Sequence, residues 1–295
     1  MASTPTARDM EQWFARHPRN WRDYHYVYPV ISRRAGGLSI GVNLNPDRAC
    51  NFNCVYCQVD RSVPRAAEPV DADRLRNELN DMLAAAAQRA CWTQPDIVGL
   101  PAAYRRVADI AFAGDGEPTA CPMIDRFVAA AAYLRRAHGM HNAGLVLMTN
   151  ATLLDRPAPQ RALATLDRHG GEVWVKLDAG DEACYQRINR SHVPYATVVD
   201  HIVACGRARP IVIQTMLAQL DDQPMADGWF DRYVDRLAVL LARGCGLARV
   251  QLYTIARPPA EPGARALPAA MLNRLGPRLH RRLPNLPVEV FTGVH

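Results

Sequence analysis

The sequence predicts an α/β fold built on a mostly parallel sheet. Three observations predict it. About six β-then-α units follow one another in a single series. No linker-like or low-complexity stretch divides the 295 residues, 49% of which are hydrophobic, enough for one large domain. Polar and glycine-rich signals recur at the C-terminal ends of the expected strands, the edge that carries active sites in parallel α/β folds. Six units are too few for a closed eightfold barrel; an open, partial barrel fits, as does a doubly wound sheet.

The elements follow in order. Residues 10–35 mix aromatic and basic side chains and read as part of an N-terminal extension, 1–36, packed on a domain spanning 37–295. "LSIGVNLNP" (38–46) alternates apolar with small or polar residues, as a strand does. Residues 71–90 are rich in helix formers with an Asp at the start. Strand patterns then recur at 107–114, 143–150, 172–179, 210–217 and 247–255. Helical patterns at 123–137, 159–169, 195–206, 229–244 and 268–283 alternate with them. The Pro-rich stretch 257–268 reads as a loop, and 288–291 as a last strand or tail.

No apolar run reaches the roughly 18 residues of a membrane helix. The N-terminus lacks the apolar core of a signal peptide. A soluble, cytoplasmic protein is the expectation, with its cysteines as free thiols or metal ligands. The formal charge of +6, from 35 basic and 29 acidic residues, permits an anionic partner such as nucleic acid without requiring one. Lys176 is the only lysine against a strong Arg bias, which marks a position where a compact ammonium does something a guanidinium cannot.

The chemistry starts at "ACNFNCVYCQVD" (49–60), where Cys50, Cys54 and Cys57 are spaced C-x3-C-x2-C directly after a strand. Thiolates are soft ligands for zinc and for iron–sulfur clusters. A structural zinc site wants four ligands, and no second cysteine pair exists here. A three-thiolate catalytic zinc, a chance grouping, and a [4Fe–4S] cube with one iron left open all remain consistent with the triplet. Further strand ends carry "GDGEP" (114–118), "TNAT" (149–152), "KLDAGD" (176–181), "QTM" (214–216) and "YTIARPP" (253–259). Read by themselves, the first two are turns, with Glu117 and Thr119 near a helix start and Asn150 in turn chemistry. Alternation puts Lys176 and Asp178 on one face with Trp174, either as an internal ion pair or as part of a site.

The triplet with an aromatic residue, Tyr56, before its last cysteine resembles the signature of the radical S-adenosylmethionine (SAM) superfamily, and the resemblance runs from Leu38 to Arg257. It implies a partial (β/α)6 TIM-like barrel, a [4Fe–4S] cluster on Cys50, Cys54 and Cys57, and SAM bound to the open iron through its amino and carboxylate groups. It implies reductive cleavage of SAM to a 5′-deoxyadenosyl radical that abstracts hydrogen from a substrate. "GDGEP" resembles the family's GGE motif, with Asp115 in place of the second glycine. Gly114 and Gly116 would let backbone approach the methionine end of SAM, and Glu117 would receive its ammonium. "TNAT" resembles the T/S-N-G segment, so Thr149 or Asn150 would reach ribose or methionine. In the strand-four segment Lys176 would hold the SAM carboxylate, Asp178 a ribose hydroxyl, and Arg190 would grip the carboxylate. Gln214 and Tyr253 would meet the nucleoside.

The wider pattern resembles the Fe–S oxidoreductase group related to tRNA wyosine synthases. Those carry further cysteines before the triplet; here none precedes Cys50, so a single-cluster enzyme is expected. The implied partners are an electron donor such as flavodoxin or ferredoxin and an unidentified substrate, a small molecule or an RNA base. Alternatives are an activase installing a glycyl radical on a protein partner, or a non-catalytic Fe–S or nucleic-acid-binding protein.

Overall fold

A computed structural model describes residues 13–14, 21–62, 65–94, 97–221, 223–224 and 227–293. Strand β1 (Val27–Ser32) pairs antiparallel with β2 (Gly37–Val42). From β2 the path is parallel through β3 (Val107–Phe112), β4 (Gly144–Thr149), β5 (Glu172–Lys176), β6 (Ile211–Leu220), β8 (Leu247–Thr254) and β10 (Val288–Phe291). Two short strands, β7 (Gln223–Pro224) and β9 (Ala264–Ala266), pair antiparallel with the far end of β6.

Each parallel strand lies beside its predecessor on this path. A doubly wound sheet would reverse direction at a switch point; this one does not, so of the two architectures the sequence allows it is the partial barrel. Six helices lie in the expected intervals: α1 (Ala72–Ala87), α2 (Ile124–Ala137), α3 (Pro157–Arg168), α5 (Tyr195–Ala208), α6 (Asp227–Ala242) and α7 (Ala269–Arg282). A further short helix, α4 (Glu182–Asn189), follows β5 directly, capped by the Asp181 carboxylate, which accepts from Cys184 N at 2.8 Å. Among the described residues no helix is long and apolar enough to cross a membrane.

The period of two along each strand sorts side chains into two cores. Ile40, Ile110, Leu145, Val175, Ile213 and Leu252 face the helices in the main core. Ala111, Val146, Trp174 and Val212 face inward and form a small apolar layer across the lumen. Both faces are covered, so these strands read as nearly continuous apolar runs.

The described part of the 1–36 segment contributes β1, which lengthens the sheet on the β2 side. Glu78 of α1 anchors it. One carboxylate oxygen accepts from His25 N (2.9 Å) and Arg74 Nε (2.9 Å), the other from Tyr26 N (2.8 Å) and Val27 N (3.2 Å). The two free edges of the sheet are tied through Arg33 in the β1–β2 turn, which donates to Thr254 O at 3.3 Å and to Thr292 O. Glu78→Ala strips the acceptor from three backbone N–H groups. It is expected to cost about 2–4 kcal/mol in denaturant-measured stability; an unchanged midpoint would show that β1 is not held this way.

Candidate active site

The loop after β2 carries the three cysteines, and neighbouring elements strap it down. Asn53 N and Val55 N donate to Asn189 O (2.8 Å) and Ile188 O (2.9 Å) at the end of α4, and Ser191 Oγ donates to Asn51 O (2.7 Å). Cys57 N closes a turn onto Cys54 O at 2.9 Å. Beneath the loop lies the Asp178 carboxylate, 2% exposed. One oxygen accepts from Tyr56 Oη and from Asn189 Nδ2 (2.9 Å), the other from Met216 N (2.8 Å). A single buried anion thus joins the ends of β5 and α4, the middle of β6 and the cysteine loop. Burial and the Asp178 anion push the Tyr56 phenol well above its usual range, so it keeps its proton and donates it to Asp178.

The "GDGEP" turn packs on the other side of the same loop. Glu117 N donates to Ala49 O at 3.1 Å, and a Cβ at Gly116 would collide with that carbonyl. Gly116 therefore lets the turn meet the backbone just before Cys50. Asn43 accepts from Asp115 N (3.1 Å) and donates to the Asp115 carboxylate (2.9 Å). The Glu117 carboxylate is filled by four donors: Thr119 N, Thr119 Oγ1, Thr149 Oγ1 (2.6 Å) and Asn150 N (2.8 Å). Burial raises its pKa despite these bonds. The Asn150 side chain bonds Asn51 and Thr152. Ala151 follows in a left-handed conformation (φ 65°), the reason a glycine suits this position.

The three thiols line one cavity of about 300 Å³ at the C-terminal ends of the strands. Cys54 is buried, and its thiol is pushed up to about 12 by burial against the opposing pull of Lys176; burial raises Cys50 as well. N–H donors point at the sulfurs: Phe52 N (3.5 Å) and Asn150 Nδ2 (4.0 Å) at Cys50, Asn189 Nδ2 at Cys54 (3.4 Å) and Arg61 at Cys57 (2.7 Å). Arg61 also donates to Asp115 O at 2.7 Å. Among the described residues no three His, Cys, Asp or Glu side chains converge as they would on a single ion. A cluster makes a different demand, because each thiolate binds its own iron.

Above the apolar layer the lumen turns polar. Lys176 and Gln214 are cross-strand partners, as are Met216 and Tyr253, and all four line the cavity. The Lys176 ammonium lies 5.2 Å from the centre of the Tyr56 ring. Burial works against its charge, but Tyr253, Asp178 and Cys54 outweigh burial and raise its pKa. Gln214 donates to Gln251 Oε1 (2.9 Å), while its own Oε1 is buried without a donor among the described residues.

Of the residues singled out in the sequence, the cavity wall brings together Cys50, Cys54, Tyr56, Cys57, Gly114, Gly116, Glu117, Thr149, Asn150, Lys176, Gln214 and Tyr253. Asp178 stands behind the wall as the knot under the loop, and Asp115 flanks the wall. Arg190 caps α4 at φ 47° and turns outward to Glu261, 2.7 Å away. Arg61, Asn43, Arg33 and Arg34 were not picked out by motif; "NLN" at the end of the first parallel strand was the one local signal for Asn43.

A family model described as the Radical SAM superfamily matches residues 44–225. A "UPF0026 protein" of Helicobacter pylori is 27% identical over 236 residues, covering 78% of this chain and 66% of that protein. A "UPF0026 protein" of Synechocystis is 26% identical over 223 residues, covering 72% and 71%. The chain spans 66% of the length of the first Helicobacter relative and 48% of its counterpart in a second strain. Among solved structures, a radical SAM methyltransferase from Sphaerobacter thermophilus superposes with a TM-score of 0.56 over 90% of this chain and 69% of that one, at 16% identity, a likeness of fold.

Gly116→Ala forces the turn off the Ala49 carbonyl and should shift the cysteine loop. The expected outcome is a folded protein by circular dichroism that takes up less than half the wild-type iron on anaerobic reconstitution. Full iron loading would mean that the loop does not depend on this contact.

Proposed function

The chain belongs to the radical SAM superfamily, whose members use a [4Fe–4S] cluster and SAM, and from that premise we propose that Cys50, Cys54 and Cys57 hold the cluster and that the lumen beside them holds SAM and a hydrogen-donating substrate, a small molecule or an RNA base. When bound and reduced, the cluster supplies the electron that splits SAM into methionine and a 5′-deoxyadenosyl radical, which takes a hydrogen atom from the substrate. The observation that carries this reading is that the three thiols open onto the same cavity as the Lys176 ammonium, which has no hydrogen-bond acceptor among the described residues, and the buried Gln214 Oε1, which has no donor among them.

The residues present suit both groups. Three soft donors on one loop suit iron–sulfur ligation and leave one metal position for another ligand. The N–H groups aimed at the sulfurs stabilise thiolate charge. Lys176 suits a carboxylate, and Gln214 Oε1 suits a hydroxyl or amine. The Asp178 knot fixes Tyr56, and with it the loop, relative to β5 and β6. The Ala111, Val146, Trp174 and Val212 layer closes the lumen below and keeps water from the reacting groups. Glu117, Thr149 and Asn150 brace the wall through bonds to one another, and the backbone of the "GDGEP" turn is left to meet the ligand. Cys50 and Cys57 are only partly buried, which leaves an approach for a one-electron donor such as flavodoxin or ferredoxin.

Reconstitution with iron and sulfide should give about four irons per chain, and reduction with SAM present should release 5′-deoxyadenosine. Lys176→Arg puts a broad fork where the site suits a point charge. It should weaken SAM binding, measured by equilibrium dialysis, by about tenfold or more. Intact SAM after reduction of the loaded wild-type protein would contradict the reading.

A further inference from the structure

The lumen holds a second cation. Arg34, in the turn between β1 and β2, lines the same cavity as Lys176. Its guanidinium lies 4.7 Å from the centre of the Tyr253 ring and 5.8 Å from that of Trp174. Such faces hold a guanidinium plane and leave its N–H groups aimed elsewhere. Neither hydrogen bond nor ion pair joins Arg34 to any of the described residues.

The other arginines around it are spoken for. Arg33 donates to Thr254 O and Thr292 O. Arg249 makes a two-pronged pair with Glu172, at 2.9 and 2.8 Å. Asp109, the acid whose carboxyl feels Arg34, accepts from Ser39 on one oxygen, and Glu172 is held by Arg249 and by Trp174 Nε1 at 2.7 Å. Asp178, the acid nearest Lys176 in sequence, is filled by three donors.

Among the described residues, two partly buried cationic groups, Lys176 and Arg34, therefore line one cavity without a hydrogen-bonded anion, an arrangement that an anionic ligand would complete. SAM brings one carboxylate and also a sulfonium cation, so it can satisfy one of the two. Lys176 is closer to the thiol loop, across the Tyr56 ring; Arg34 reaches in from the opposite end of the strands. We propose that the substrate is a small anion and that Arg34 binds its carboxylate or phosphate group, with the rings of Tyr253 and Trp174 shaping the subsite. This rests on the radical SAM reading for calling the anion a substrate; the anion site itself does not.

The test is calorimetric titration of the anaerobically reconstituted protein, with SAM present so that Lys176 is engaged, using inorganic phosphate and benzoate as separate probes. At least one should bind, and which one distinguishes a phosphate from a carboxylate substrate. Arg34→Met should weaken that binding by about tenfold or more, the worth of a charge-assisted contact. Arg34→Lys, which keeps the charge and loses the fork, should fall between. Arg136→Met, on the outer face of α2, should bind as wild type does. Iron content and melting temperature of each variant check that it is folded. Binding of both probes unaffected by Arg34→Met, or binding of neither to the wild type, would overturn the proposal. SAM cleavage assayed on the same wild-type sample separates the two readings. Arg34-dependent binding without cleavage would sink the function and leave an anion site; cleavage without Arg34-dependent binding would do the reverse.

Discussion

The site depends on one buried carboxylate. Asp178 sits where the end of β5, the middle of β6, the end of α4 and the cysteine loop meet, and it takes a hydrogen bond from each of the last three. An uncompensated anion at 2% exposure would be strongly unfavourable. With Tyr56, Asn189 and Met216 N in place it is satisfied, and the same bonds set the height and tilt of the loop. Glu117 does the equivalent on the opposite flank, joining the end of β3 to the end of β4. Asp178 thus clamps the loop directly, and Glu117 braces the turn whose backbone meets the loop at Ala49, so that three thiols face one cavity. Breaking either clamp would leave a buried charge without donors, so the arrangement is cooperative.

Much of this was legible in the sequence. Six parallel strands and the long helix that follows each of them are read from apolar periodicity. The functional positions fall at strand C-terminal ends because in a singly wound parallel sheet those ends form one rim. Four elements were not legible: β7, β9 (which lies inside the stretch 257–268 read as a loop), helix α4 and strand β1. Helix α4 has eight residues and only Tyr185, Ile188 and Asn189 buried, too few for a periodic signal. Strand β1 lies in a stretch whose aromatic and basic content obscures alternation.

Roles were harder to read than places. Asp178 and Glu117 were expected at the ligand, and the structure spends their oxygens on internal donors, because spacing shows which residues reach the rim but not which polar atoms their neighbours consume. Arg190 was expected at the ligand as well. Its left-handed backbone at the end of α4 turns the side chain to Glu261 instead. Arg34 gave no signal at all, since it enters the lumen from the start of the strands on a long side chain. Charge is the quantity that sequence hides most: a net +6 spread over the chain becomes a cavity wall that includes Lys176, Arg33, Arg34, Arg61 and Arg257.

The central claim is that three thiols from one loop hold a four-iron cluster and leave one iron for SAM. Mössbauer spectroscopy of protein reconstituted with iron-57, before and after SAM is added, tests it most directly. The account predicts the spectrum of a four-iron cluster in which about one iron in four changes its isomer shift when SAM binds. Four irons that all ignore SAM, or a mononuclear site, would contradict it.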